Sequence, residues 1–351
     1  MAEDARGVSI RTVVVGILSI VLLIGMLWVA DPRRFVDILS QASLGILGLV
    51  LLLYFLNVLT KGLRWYLLLN LSDIKTPFRT ALSFAVVGLS VSSVTPGRVA
   101  GEPVRAYLIR ERTGLPFGTG LATVFTERIM DLLVLAMLGV IGLALIIPLL
   151  PLAGGLAIAL FIVLVVVFFV AVVYLALHLA MLDRLSHWFV RVASRITKRP
   201  SLKWEKAASD ITSNFSEGFR SILRSKRSVA TTFGLTTVIW LNEASRVFLV
   251  MFALAPDSVP FVGFVLIAST LASLLGALVP GGTFNAALIA MVFGAAGVSL
   301  SLATTAGLLM TFTSIWILVP VGITILIRNT RKGRVKEILA IEAAKSSESR
   351  E

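Results

Sequence analysis

Charged side chains lie inside several long apolar runs of this sequence, and their chemistry sets the first expectations. A charged group at the centre of a bilayer costs at least ~2.5–3.5 kcal/mol, so each one predicts a functional site or a tight ion pair. Glu243 and Arg246 share one face of a predicted helix, three residues apart, where they can neutralise each other. Glu127, Arg128 and Asp131 lie near the start of another run. Acids in that position also complement a helix dipole, so a structural role stays open for them.

Two Pro-Gly breaks carry a second set of polar residues. Arg98, Glu102 and Arg105 follow the first break, and cations beside the backbone N–H groups of a helix start favour phosphate. Thr283 and Asn285 follow the second break and can donate hydrogen bonds to phosphate oxygens. The predicted substrate-binding residues are Arg64, Arg98, Glu102, Arg105, Glu127, Arg128, Asp131, Glu243, Arg246, Thr283 and Asn285. The predicted hinge residues are Pro96, Gly97, Gly101, Pro280, Gly281 and Gly282.

The composition places these residues in a membrane protein. The chain is 57% hydrophobic and 15% charged, and several apolar runs reach the ~20 residues that cross a bilayer, which excludes a soluble fold. The net charge of +13 comes from basic residues clustered between apolar runs, as the positive-inside rule produces, so no nucleic-acid partner is expected. With no cysteine and only His178 and His187, the sequence predicts no metal site and no cofactor.

Six unbroken apolar runs predict full membrane spans. These runs cover 12–29, read as an uncleaved anchor, 44–60, 121–148, 152–180, 229–254 and 302–327. Basic residues in 183–228 and after Ile327 predict that both segments, and both chain termini, are cytoplasmic. With this orientation, the interrupted stretches 78–100 and 261–297 each begin and end on one side of the membrane. We therefore predict two re-entrant hairpins that enter from opposite faces.

The spacing of landmark residues indicates an internal repeat. Pro77-Phe78 and Pro96-Gly97 follow Arg64 at intervals of 13 and 19 residues, and Pro260-Phe261 and Pro280-Gly281 follow Arg246 at 14 and 20. The alternative is that Pro and Gly merely kink ordinary helices. The predicted fold is an all-α polytopic membrane protein with about six full spans and two re-entrant broken-helix hairpins in an inverted-topology repeat. Its segments are an N-terminal anchor (1–43), a first repeat half (44–150), a linking span (151–182), cytoplasmic amphipathic helices (183–228), a second repeat half (229–330) and a cytoplasmic tail (331–351).

The cytoplasmic segment shows helical amphipathicity in two places. Its apolar positions are Leu185, Phe189, Val192 and Ile196, and then Ile211, Phe215, Phe219 and Ile222. Basic residues surround both sets. We therefore expect two amphipathic helices that lie on the anionic inner leaflet.

Several of these motifs resemble a known family. They are Leu63-Arg64-Trp65, Pro96-Gly97, Gly101-Glu102 with Arg105, Glu127-Arg128 with Asp131, and Pro280-Gly281-Gly282. Over roughly 40–330 the chain resembles the flippase-like family named after the transmembrane region of lysylphosphatidylglycerol synthase. The resemblance implies movement of charged or polyprenyl-linked lipids between leaflets. Many members carry an acid after the second Pro-Gly-Gly, where this chain has Phe284, Asn285 and Ala286.

The expected function is a translocase in the cell membrane for a lipid with a phosphate headgroup, phospholipid or polyprenyl-phosphate-linked. The acids would hold the arginines in place or carry a coupling proton. A carrier of small organic anions and a non-transporting subunit of a lipid-modifying system are the alternatives, and a homo-oligomer is compatible with the sequence. An aminoacyl transferase is not expected, because only about 24 residues follow Ile327, far below domain size.

Overall fold

The computed structural model describes residues 31–95, 100–149, 202–276 and 282–328, together with a few single positions elsewhere. Every regular element in these ranges is helical. The predicted spans 12–29 and 152–180, the apolar face at 185–196 and the tail lie outside the described residues. The same holds for the predicted site and hinge residues Pro96, Gly97, Arg98, Pro280 and Gly281.

Ten helices form the described part of the chain. They are α1 (Pro32–Ser40), α2 (Leu44–Leu71), α3 (Phe78–Val94), α4 (Gly101–Thr113), α5 (Phe117–Ile146), α6 (Leu202–Arg224), α7 (Lys226–Leu254), α8 (Val262–Leu275), α9 (Thr283–Ala295) and α10 (Leu300–Arg328). Short 3₁₀ turns follow α5 and α7, at Ile147–Leu149 and Pro256–Ser258. Within α10, the α-helix of Leu300–Thr311 passes into a π-helix at Phe312–Trp316 and then continues to Arg328.

Four of these helices are long and apolar enough to cross a membrane: α2, α5 with its 3₁₀ turn, α7 and α10. They coincide with four of the six predicted runs, and α2 and α5 are longer than predicted. The run that ends at 60 continues to Leu71, and the run that begins at 121 starts at Phe117. Lys61 and Arg64 do not end α2, since Arg64 is buried and Lys61 is partly buried beside Trp240 of α7.

The helix ends follow local chemistry. Pro77 and Pro116 directly precede α3 and α5, where a residue without an N–H costs no helical hydrogen bond. Ser225 caps α7 by accepting a hydrogen bond from the backbone N–H of Ser228. Gly114 ends α4 with a φ of 74°, a left-handed conformation that favours glycine.

The predicted stretch 261–297 contains both α8 and α9, whereas the predicted stretch 78–100 contains α3 alone, because α4 begins after it at Gly101. At each break two helices pack against each other, and neither pair is a single through-going helix. In the first, α4 returns along α3 so closely that a Cβ on Gly101 would lie 2.0 Å from the carbonyl oxygen of Gly88. In the second, a Cβ on Gly276 would lie 2.0 Å from Oδ1 of Asn285. Gly282 precedes α9 with a φ of 77°, which explains glycine at this predicted hinge position.

The helices α2 and α7 form an antiparallel pair at the centre of the bundle. Ser43 N–H donates to the carbonyl of Ala253 at 2.9 Å, and Asn57 Nδ2 donates to the carbonyl of Ile239 at 2.9 Å. Because residue numbers rise along α2 as they fall along α7, the two helices run in opposite directions.

The first helix of each hairpin packs on a long helix from a distant part of the chain. The helix α8 packs on α5, and the helix α3 packs on α10. Gly263 of α8 lies against Gly142 of α5, where an added Cβ would meet a carbonyl oxygen at 3.0 Å. Ser90 of α3 lies against Gly322 of α10, and its hydroxyl donates to the carbonyl of Leu318 at 3.1 Å. The packing of α8 on α5 and the packing of α3 on α10 are therefore alike in kind.

The helix α6 packs against α5 through its apolar face. Phe219 is 0% exposed and lies with Ala122, Ile129 and Phe125, while Phe215 stacks on Phe219 at a centroid distance of 5.9 Å. The prediction that this apolar face lies on the lipid leaflet is therefore wrong. Residues of α5 cover Phe219, whereas Ile211 at the start of the face is exposed.

Candidate functional site

Arg64 forms the centre of a buried cluster of charges. Its side chain comes from α2, is 4% exposed, and donates from Nε to Glu127 Oε1 at 3.0 Å and from Nη1 to Asp131 Oδ1 at 2.6 Å. Nη1 also donates to the hydroxyl of Thr236 on α7 at 2.7 Å. Charge-assisted hydrogen bonds of this kind are strong in a medium of low dielectric constant. The cluster therefore ties α2, α5 and α7 together.

Glu127 accepts from a second arginine on the first hairpin. Arg105 Nη2 donates to Glu127 Oε2 at 2.6 Å, so both carboxylate oxygens of Glu127 are bound. The guanidinium of Arg105 lies 4.2 Å from the ring centroid of Trp65, whose indole N–H donates to Thr123 at 3.1 Å. The first hairpin is thus attached to α2 and α5 by charge and by stacking.

Arg128 completes this cluster on its more open side. Its Nε donates to Glu102 Oε1 at 2.7 Å, and its Nη1 lies 3.7 Å from Asp131 Oδ2. Its side chain is 43% exposed, whereas the other five charged side chains are largely buried. We call this set the first cluster. It comprises Arg64, Arg105, Arg128, Glu102, Glu127 and Asp131, and its formal charges sum to zero.

The helix dipole does not explain the acids of α5. Glu127 is the eleventh residue of α5 and lies beyond its first turns, where the dipole no longer acts. Arg64 was expected at the end of a span, but it is the twenty-first of the 28 residues of α2. Both corrections have one cause, which is that the paired charges allow the helices to continue through the polar region.

Arg246 forms a second cluster in the other half. Its side chain is 0% exposed, and it donates to Glu243 at 3.0 Å, to Ser314 at 2.9 Å and to Thr313 at 3.2 Å. Its guanidinium lies 4.7 Å from the ring centroid of Tyr54, and the Tyr54 hydroxyl donates to the backbone carbonyl of Ser314. We call Tyr54, Glu243, Arg246, Thr313 and Ser314 the second cluster.

The π-helix of α10 supplies two of these partners. Thr313 and Ser314 lie within Phe312–Trp316, the only π-helical segment among the described residues. A π-turn widens the helix and is frequent at functional sites. Sequence reasoning missed it, because nothing in the apolar run from 302 to 327 predicts a change of helical pitch.

Polar groups on α2 and α7 connect the two clusters. Asn57 donates to Oδ1 of Asn242 at 3.1 Å, and the indole N–H of Trp240 donates to Oδ1 of Asp131 at 3.0 Å. The Lys61 ammonium lies 5.9 Å from the ring centroid of Trp240. The predicted run 44–60 ends directly before Lys61, and Lys61 is not among the predicted site residues. The spacing of three and four residues among Asn57, Lys61 and Arg64 could have placed it on the same helix face.

Comparison with known proteins identifies the family of this architecture. The family model for the transmembrane region of lysylphosphatidylglycerol synthase matches residues 16–322, a range that contains both clusters and both hairpins. The chain belongs to this family.

Relatives share most of the chain with this member of the lysylphosphatidylglycerol synthase transmembrane family. Two proteins of Methanothermobacter thermautotrophicus, each described as a UPF0104 membrane protein, are 27% and 26% identical to it. These matches cover 88% and 87% of this chain and 92% and 90% of the relatives. Glycosyltransferase AglD of Haloferax volcanii is 28% identical over 130 residues, which is 36% of this chain and 20% of that protein.

The structure brings most of the described predicted site residues of this family member into the two clusters. The predicted partnership of Glu243 and Arg246 is present as a direct ion pair. Thr283 is buried at the start of α9, and Asn285 lies beside Gly276 at the turn of the second hairpin. Within the described ranges, no group of three or more His, Cys, Asp or Glu side chains is placed to hold a metal ion.

Proposed function

We propose that this protein moves a lipid with a phosphate headgroup, phospholipid or polyprenyl-phosphate-linked, between membrane leaflets by alternating access. The observation that carries the proposal is the pair of arginine-centred clusters buried on two antiparallel helices that are long and apolar enough to span a membrane. Charges at membrane depth are costly, and they are typical of pathways for polar groups. In this view the lipid headgroup passes the clusters while its acyl tails stay in the bilayer.

Equal helix registers support an inverted repeat. Tyr54 and Arg64 are the eleventh and twenty-first residues of α2, and Thr236 and Arg246 hold the same positions in α7. Arg64 donates to Thr236, and Arg246 stacks on Tyr54, so the contacts exchange between equivalent positions. A two-fold axis in the membrane plane produces this pattern, and transporters with such axes bind substrate near the midplane.

Equivalent residues also hold equal positions in the long helices α5 and α10. Asp131 is the fifteenth residue of α5 and Ser314 the fifteenth of α10, and each binds the arginine of its own half. The reciprocal packing of α3 on α10 and of α8 on α5 fits the same axis. Two re-entrant hairpins that enter from opposite faces therefore remain our interpretation of α3–α4 and α8–α9.

The name of the family agrees with a lipid substrate. The family is named after a synthase of lysylphosphatidylglycerol, which is a lipid with a phosphate group, and one partial relative is named a glycosyltransferase. Exposed Arg224, Lys226 and Arg227, where α6 meets α7, suit an anionic inner leaflet. They favour a cell-membrane orientation with both termini cytoplasmic.

Flipping of a headgroup-labelled lipid in proteoliposomes tests the proposal. The protein should accelerate leaflet exchange of labelled phosphatidylglycerol or polyprenyl phosphate over protein-free vesicles. Asp131→Asn keeps the shape but removes the charge that holds Arg64 and Arg128, so exchange should fall about 10–100-fold, as expected for loss of a charge-assisted bond. Asp257→Asn is the matched control, because Asp257 is exposed in the turn after α7 and should not change the rate.

Four other outcomes would overturn the proposal. Failure to accelerate leaflet exchange of both phosphatidylglycerol and polyprenyl phosphate would refute translocation. Uptake of soluble glycerol phosphate without lipid exchange would favour the carrier of small organic anions. Aminoacylated lipid formed by this chain alone would make it an enzyme, and dependence of a lipid-modifying enzyme on the chain without any transport would make it an assembly subunit.

A further inference from the structure

We propose that the ammonium group of Lys61, above the ring of Trp240, is the seat of the substrate phosphate. This inference rests on the proposed function, since it assigns the headgroup contact within that pathway. The ligand chemistry is a phosphate monoester or diester, on a lipid or on a soluble molecule. The predicted substrate-binding set, which emphasises the arginines, does not contain Lys61.

Charge balance separates Lys61 from the arginines. In the first cluster three arginines face three acids, and in the second Arg246 faces Glu243. Lys61 forms no ion pair and no hydrogen bond with any residue that the structure describes. Among the described residues it therefore carries a positive charge that no carboxylate pairs, beside two clusters whose formal charges cancel, and such a charge attracts an anion.

Lys61 lies between the clusters along α2. Tyr54, Asn57, Lys61 and Arg64 follow one another at spacings of three, four and three residues, so they share one face of the helix. That face packs on α7, and Lys61 interacts electrostatically with residues of both clusters. A phosphate at Lys61 is thus placed to approach either arginine site when the bundle rocks about the α2–α7 pair.

The inverted register explains why only one half carries this cation. Lys61 is the eighteenth residue of α2, and the eighteenth residue of α7 is Glu243. Glu243 neutralises Arg246 at 3.0 Å, whereas the acids that neutralise Arg64 come from α5. The position equivalent to Glu243 is therefore free to hold a positive charge.

Access favours Lys61 over the buried arginines. Lys61 and Trp240 are partly exposed, whereas Arg64 and Arg246 are buried and already bonded to acids or hydroxyls. The indole N–H of Trp240 is bound to Asp131, so the ring under Lys61 is held in place. The ammonium keeps its three donors for a ligand, and lysine binds phosphate as a compact point charge.

Lipid binding by native mass spectrometry tests the assignment without requiring transport. Lys61→Gln should weaken binding of phosphatidylglycerol about ten-fold, whereas Lys61→Arg should retain it because the charge remains. Lys75→Gln is the matched control, since Lys75 is exposed between α2 and α3, and it should bind as the unaltered protein does. Diacylglycerol, which lacks phosphate, should bind equally to all four proteins.

The remaining outcomes are equally decisive. Equal binding of both phosphatidylglycerol and soluble glycerol phosphate by Lys61→Gln and Lys75→Gln would overturn the assignment, even if lipid exchange occurs and the proposed function stands. Charge-dependent binding at Lys61 without lipid exchange would keep the phosphate seat and remove the translocase. Binding of soluble glycerol phosphate, lost in Lys61→Gln while phosphatidylglycerol binding is unchanged, would overturn the lipid assignment in favour of a soluble anion.

Discussion

Glu127→Gln is the most informative test of the first cluster, because Glu127 is 2% exposed and accepts from two arginines at once. The glutamine is isosteric but neutral, so it leaves the buried cluster with a charge of +1. Removal of one partner of a buried ion pair costs ~3–5 kcal/mol. At ~2 °C per kcal/mol for a chain of this size, the midpoint of thermal unfolding should fall by ~6–10 °C.

A double variant separates charge from shape. The double variant, Glu127→Gln with Arg105→Gln, removes one charge of each sign and restores neutrality. Its loss of stability should therefore be ~1–3 kcal/mol smaller than the summed losses of the two single variants. Glu111→Gln is the matched control, because Glu111 is exposed on α4 and the change should stay within ~0.5 kcal/mol. Thermal unfolding in detergent measures the stability of Glu127→Gln, Arg105→Gln, the double variant and the control. If Glu127→Gln melts like Glu111→Gln, or if the double variant is merely additive, the cluster does not balance charge as described.

Two packing predictions are checked by the same measurement. Gly101→Ala should destabilise the protein by ~1–3 kcal/mol, because the added Cβ would collide with the Gly88 carbonyl, while Gly294→Ala, which meets nothing within 4 Å, should be neutral or slightly stabilising. Equal melting of the two would contradict the close packing of the first hairpin. Phe219→Ala should cost ~3–5 kcal/mol if α6 packs on α5, and Ile211→Ala, at a half-exposed position, much less. Similarly small losses of stability in both variants would mean that lipid, and not α5, covers the apolar face of α6.

Local patterns predicted much of the fold. Apolar length placed the four long helices, since transfer of side chains into lipid adds up along the chain. The spacing of three residues predicted the pair of Glu243 and Arg246, because neighbours on one helix face meet whatever surrounds them. The breaks near 96 and 280 predicted the interruptions between α3 and α4 and between α8 and α9.

Contacts between distant segments were the source of the errors. The end of α2 was predicted at 60 because charge is excluded from lipid, yet residues of α5 and α7 neutralise and surround that part of the helix. The apolar face of α6 was assigned to the leaflet because amphipathicity records that a face is covered and does not record what covers it. The π-turn in α10 accepts hydrogen bonds from side chains of α2 and α7, which the apolar run of α10 alone does not reveal.

The sequence by itself determined that this chain forms apolar helices interrupted twice and that arginines and acids lie among them, since hydropathy and helix periodicity are local properties. Only the tertiary structure decided which acid meets which arginine, because the partners of Arg64 lie 63, 67 and 172 residues away along the chain. Within the part of the chain that the structure describes, the same pairing leaves Lys61 without an acid. Electrostatic balance in a medium of low dielectric constant depends on distances in space, so no reading of neighbouring residues could have assigned that free charge.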